Sequence, residues 1–167
     1  VKGSSERKAR EIAEQIEEKK DMRRAMIYLQ KYGISTTLAA RIYDYYGNRL
    51  YQVMEENPYR MADDISGVGF KTADEIARRI GIRADSDYRI RSGIFYTLLQ
   101  SVGEGHVYLL VDALLRRTGD LLGVEIRHIE KYLMDLAMER KVVLKEGEDG
   151  KRVYASNYYY LELNTAK

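Results

Sequence analysis

The 167-residue chain has no cysteine, no tryptophan, two histidines and one proline. The lack of cysteine excludes disulfides, thiolate metal sites and thiol nucleophiles. His106 and His128 each lack a second histidine nearby, so they do not form a recognisable metal pair. No apolar run approaches the roughly 18 residues of a membrane span. No signal-peptide pattern is present either, so a cytoplasmic address without a membrane partner is expected. An excess of one charge is also lacking, because 28 Lys and Arg stand against 26 Asp and Glu, for a net charge of +2. The chain as a whole is therefore no polycation, and any affinity for nucleic acid must come from local placement of charges and backbone amides. What the chain does have is 45% hydrophobic residues, ample for one large core or two small ones.

Glycine is concentrated where it changes the chemistry. In Ile65-Ser66-Gly67-Val68-Gly69-Phe70-Lys71-Thr72-Ala73, two glycines stand directly ahead of an amphipathic helical pattern. Glycines at 67 and 69 permit a tight turn with positive φ and remove the Cβ that would hold a ligand's backbone away. The following helix opens with unpaired N–H groups at the positive end of its dipole, which suits an anion. Lys71 and Thr72 add a charge and a hydroxyl, and a cation at that helix end is unfavourable unless an anion visits. Gly67, Val68, Gly69, Lys71 and Thr72 are thus candidates for contact with a phosphate backbone, the alternative being a turn used only for packing. A nucleotide loop is excluded, because Phe70 separates Gly69 from Lys71 where a P-loop needs Gly-Lys-Ser/Thr in succession. ATP hydrolysis by these residues is not expected.

The pattern recurs at an offset of 34 residues, pairing Gly33 with Gly67, Ala39 with Ala73, Ile42 with Ile76 and Gly47 with Gly81. Register-matched repetition of this kind signals a repeated structural unit. In the upstream copy Ser35 replaces the second glycine and no lysine follows. Gly33, Ser35, Thr36 and Thr37 are candidate phosphate contacts, and Ser35 serves equally well as a helix cap. Gly3, Ala9 and Ile12 keep the same internal spacing, which predicts that the chain begins inside a third copy and is cut from something longer.

The coarse element reading is mainly α. Residues 4–20 and 22–31 read as helices, separate or continuous. A helix capped by Ser35 ends at Gly47, a further one spans Arg49 to Glu56, and Asn57-Pro58 stops it. A short helix over 59–64 precedes a helix over 71–80 that closes at Gly81. Asp63 and Asp64 read as caps rather than metal ligands, and Arg78 and Arg79 as solvated charge at a helix C-terminus. The texture changes at Asp85, dividing the chain into 1–84 and 85–167. The second part reads as a helix from Ser86 or Asp87 to Gly103, a strand over 106–110, helices over 111–118 and 125–140, and a hairpin around Glu148-Asp149-Gly150. Three helices followed by a hairpin is the winged-helix order. Glu130, Asp135 and Glu139 on the third helix and Glu146, Glu148 and Asp149 at the hairpin tip favour a structural or docking role over DNA reading. Without a Gly-, Ser- or Pro-rich linker the two parts are expected to pack together, with tyrosines 43, 46 and 158–160 filling core and interdomain space.

Gly67-x-Gly69-x-x-x-Ala73 behind Ile65, with its degenerate partner at Gly33, resembles the helix-hairpin-helix motif of sequence-nonspecific DNA-binding proteins. Its surroundings are more specific. Asn57-Pro58-Tyr59-Arg60-Met61-Ala62-Asp63-Asp64-Ile65 running into the glycine turn, and Gly105-His106-Val107-Tyr108-Leu109 downstream, resemble the region ahead of the motor in long-form RecD/TraA-type ATP-dependent DNA helicases. These are the exodeoxyribonuclease V alpha subunit-like enzymes. The resemblance covers most of residues 3–162 and implies tandem helix-hairpin-helix repeats that hold DNA, single-stranded or forked, without sequence preference. It also implies 5' to 3' polarity and a role in repair or recombination. The motor domains would be partners within the same chain, with ATP and Mg bound only there and no cofactor in this part.

Overall fold

The computed structural model describes residues 2–157 and 159. It divides into two compact units, Val1–Gly81 and Ile82–Lys167.

The first unit is helical throughout: α1 (Lys2–Lys31), α2 (Thr36–Tyr46), α3 (Leu50–Glu56), α4 (Arg60–Asp64) and α5 (Phe70–Ile80), with a 3-10 turn over Gly47–Arg49. α1 is a single 30-residue helix. Gly3, Ala9 and Ile12 all lie exposed within it, which corrects the expected third copy. The segment is rich in Glu, Lys, Arg and Ala and has no glycine or proline between residues 4 and 31, so nothing makes a turn there. α2 starts as predicted, with Ser35 Oγ accepting the Leu38 N–H at 3.2 Å. It buries Ala39, Ile42 and Tyr46. α5 begins one residue earlier than expected because Phe70 is a buried anchor. Its ring stacks on Tyr59 at 5.8 Å, and the Tyr59 hydroxyl donates to Asp74 at 2.5 Å. Gly81 closes α5 in the left-handed region at φ 103°, where the missing Cβ removes the steric cost.

Asp64 is not a cap. Its carboxylate accepts the hydroxyl of buried Tyr46 at 2.7 Å and Arg60 Nε at 3.3 Å, tying α4 to α2. Burial, then the bond to Asp64, raises the Tyr46 phenol well above its ordinary pKa.

The second unit runs α6 (Asp87–Gly103), β1 (Leu109–Leu110), α7 (Val111–Leu122), α8 (Ile129–Met138), β2 (Val142–Gly147) and β3 (Gly150–Ala155). Its antiparallel sheet has the order β1-β3-β2, with Leu109 opposite Val153 and Val142 opposite Ala155. Only Leu109 and Leu110 of the expected 106–110 strand pair. α7 outruns its predicted end at Thr118 because Leu122 is still core, seated where a Cβ on Gly93 of α6 would stand 2.7 Å from it. α8 is shorter than the predicted 125–140, since His128 takes the left-handed conformation at φ 59° and blocks an earlier start. Ile94, Leu98, Leu114, Leu133, Leu136 and Val153 form the centre of this core, each no more than 1% exposed. Tyr159 meets Tyr154 edge-on at 5.1 Å, while Tyr158 and Tyr160 lie outside the described residues.

Candidate nucleic-acid interface

The turn between α4 and α5 is anchored from below and open above. Val68 is buried at 5% exposure, and its amide donates to Ile65 O at 3.2 Å. Its side chain therefore holds the turn to the core, leaving only its backbone for a ligand. Gly67 has φ 92°, as expected of a turn glycine. Gly69 does not: at φ −95° and ψ 179° it is extended, which corrects the expected positive φ. Its lack of a side chain matters in another way, because it occupies the cap position of α5 and supplies no side-chain acceptor to the first-turn amides. α2 differs, since Ser35 already serves one of its amides. Lys71 and Thr72 are exposed on the first turn of α5.

The turn between α1 and α2 lies in the same neighbourhood. A groove of about 450 Å³ is lined by Gly33, Ser35, Lys71, Thr72, Glu75 and Arg79, among others. It brings four of the nine candidate residues together from two segments of the chain. Gly67, Val68 and Gly69 are not in its lining, nor are Thr36, whose Oγ accepts Gln30 Nε2 at 3.0 Å, and exposed Thr37.

Two arginines close these turns, and the sequence reading contains neither contact: Arg41 carries no signal there and Arg79 reads only as solvated charge. Arg79, expected to be merely solvated, reaches back from α5 and donates to Tyr32 O at 3.0 Å. It covers Gly33, where φ is 78° and an added Cβ would overlap its guanidinium. In return, Arg41 of α2 donates to Ser66 O at 3.3 Å beside Gly67. Each arginine thus closes the turn of the other helix pair at the carbonyl ahead of the positive-φ glycine. Contacts 25 and 47 residues apart leave no local pattern in the sequence.

Glu75 governs the charge of the groove. Its carboxylate accepts from Arg78 at 2.6 Å and from Arg79 Nε at 3.1 Å. Arg78 first and Arg79 with it hold its pKa down at about 2, so it stays ionised throughout the neutral range. An anion entering the groove competes with Glu75 for the guanidinium of Arg79, the one of the two arginines that lines it. Glu75→Gln is therefore expected to raise affinity for a polyanion by about 2- to 5-fold and to steepen its salt dependence by about one unit. Titration at several salt concentrations measures both, and unchanged affinity would show that Arg79 does not meet the ligand.

The sequence model described as the ATP-dependent RecD2 DNA helicase HHH domain matches residues 18–108. The chain belongs to that family. The matched stretch starts within α1, takes in α2 to α6 and ends at Tyr108, ahead of β1. It thus contains both glycine turns and every residue lining the groove. Among the described residues, no helix is long and apolar enough to cross a membrane.

Proposed function

We propose that the first unit is a tandem helix-hairpin-helix element that holds the phosphate backbone of DNA without reading its sequence. The groove joining the Gly33 turn to the first turn of α5 carries this reading, because it combines Lys71, Arg79, two hydroxyls and a helix N-terminus on an exposed surface. Gly67 and Gly69 extend the surface with bare backbone. The parent protein is an ATP-dependent 5' to 3' helicase acting in repair or recombination, with ATP, Mg and translocation belonging to a motor outside this sequence.

The second unit plays a different part. Its order of three helices, a short β1 and a hairpin supports a winged-helix-like module, but its surface does not suit a nucleic acid. Arg91 is engaged by Asp135 and Glu139, Lys131 by Asp87, and Arg152 by Asp149 and the ring of Tyr108. Met134 and Met138 stand 59% and 78% exposed on the outer side of α8, as a protein contact would use them. This unit docks on the motor.

Fluorescence anisotropy with random-sequence DNA tests the assignment. Binding is expected with a log–log salt slope of about 2 to 4 in magnitude, set by a few neutralised phosphates. Lys71→Ala should weaken it equally for all sequences and lower the slope by about 1, whereas Lys151→Ala near the hairpin tip should change neither. Absence of binding to single-stranded, duplex and forked DNA at low salt would leave protein docking as the function of both units.

A further inference from the structure

The first unit contains a second groove made of corresponding parts. It encloses about 340 Å³ and is lined by Arg41, Asp44, Tyr45, Asp64, Ile65 and Ser66. At the 34-residue offset Ser66 answers to Tyr32, Arg41 to Glu75 and Tyr45 to Arg79, all three of which line the first groove. Each groove is closed by an arginine bonded to the carbonyl ahead of a positive-φ glycine. The chemistry differs. The first groove sets two cations, Lys71 and Arg79, against the one carboxylate of Glu75, whereas the second sets the one cation Arg41 against two carboxylates beside the exposed ring of Tyr45.

Those carboxylates decide against a phosphate, since Asp44 and Asp64 would repel it at short range. They suit a group that offers N–H donors on a flat ring. Asp64 is occupied by Tyr46 and Arg60, whereas Asp44 has no hydrogen-bond partner among the described residues. Tyr45 is 56% exposed, yet its ring is held edge-on by buried Tyr46 at 4.8 Å and 77°. It is a prepared aromatic surface open to solvent, beside an arginine plane.

We infer that this groove receives an unpaired nucleobase, stacked on Tyr45 with its N–H groups facing Asp44. The inference rests on the DNA-binding reading above and narrows it. Ser66 precedes Gly67, so a strand whose phosphate meets the glycine turn has a neighbouring base within reach of Tyr45. A base is available for such stacking only when it is unpaired, which makes single strands and the open arms of a fork the preferred substrate.

The test uses this 167-residue chain and three fluorescent probes: a mixed-sequence single strand, the same strand with abasic tetrahydrofuran residues, and a duplex. The unmodified protein should bind the single strand about 5- to 100-fold more tightly than the abasic strand, the range typical of base–aromatic stacking. Tyr45→Ala should reduce the single strand to the abasic level without affecting the abasic strand or duplex, and Tyr45→Phe should restore the difference. Lys71→Ala should weaken all three probes together. Equal binding of normal and abasic strands, or a preference that survives Tyr45→Ala, overturns the inference while leaving phosphate binding intact. Failure of all three probes to bind overturns both. The comparison of probes on the unmodified protein needs no variant, so loss of fold in Tyr45→Ala does not blunt the test.

Discussion

Gly33→Val is expected to destabilise the first unit by about 2 to 4 kcal/mol, with roughly 1 to 2 of this from forcing a β-branched residue into the left-handed region. The remainder comes from Arg79. Its guanidinium stands where the new Cβ would go, so it must swing away and give up its bond to Tyr32 O. A hydrogen bond to a charged group contributes about 1.5 to 3 kcal/mol, and the exposure of this one places it at the low end. Gly69→Val makes the contrast. The backbone at Gly69 is extended, as β-branched residues prefer, and an added Cβ would meet nothing within 4 Å. Stability should change by less than about 0.5 kcal/mol, as for an ordinary surface substitution. DNA affinity should nevertheless fall, because the side chain would stand between the α5 amides and a phosphate. Urea melts beside anisotropy titrations separate the two effects. Equal destabilisation by both substitutions would show that backbone conformation does not distinguish these glycines.

That contrast marks the boundary of what the sequence discloses. Ser35 and Gly81 are legible because cap and C-terminal signals act within one turn of the chain, and the structure uses both where the pattern puts them. Gly147 and Gly150 bracket a two-residue turn for the same reason. A glycine alone, however, does not reveal which of its freedoms is in use. Gly67 uses positive φ, Gly69 the absence of a side chain at a cap, and Gly93 the space taken by Leu122. The Gly67–Gly69 pair thus marks a turn ahead of a helix in the sequence, but not which freedom each glycine uses. The partners of the turns were out of reach altogether, because Arg41 and Arg79 become meaningful only once α2 and α5 bring them to carbonyls in distant segments. Repetition misled at the N-terminus, where Gly3, Ala9 and Ile12 match the spacing but lie in a helix with no turn to make.

Leu29→Ala is expected to cost about 2 to 5 kcal/mol, the range for a leucine lost from a packed core, whereas removing residues 1–17 should cost less than about 1. The reason is the uneven attachment of α1. Every residue from Gly3 to Lys20 is exposed, including Ile12 at 57% and Ile16 at 50%, whereas Ala25 and Leu29 are wholly buried. Leu29 also sits at the start of the turn, its carbonyl accepting the amides of Tyr32 at 3.1 Å and Ile34 at 3.3 Å. Truncating its side chain loosens the segment that carries Gly33 and Ser35 into the groove. The loss should lower the melting temperature of the first unit by about 10 °C or more, given roughly 4 to 8 °C per kcal/mol for a domain of this size. DNA binding should weaken with it under conditions where the unit is partly unfolded. The truncated protein still contains the full stretch matched by the family, 18–108, and should melt and bind as the intact chain does. If truncation proves as costly as Leu29→Ala, the exposed turns of α1 must be packed against something in solution, and Ile12 and Ile16 are then the first residues to substitute in finding it.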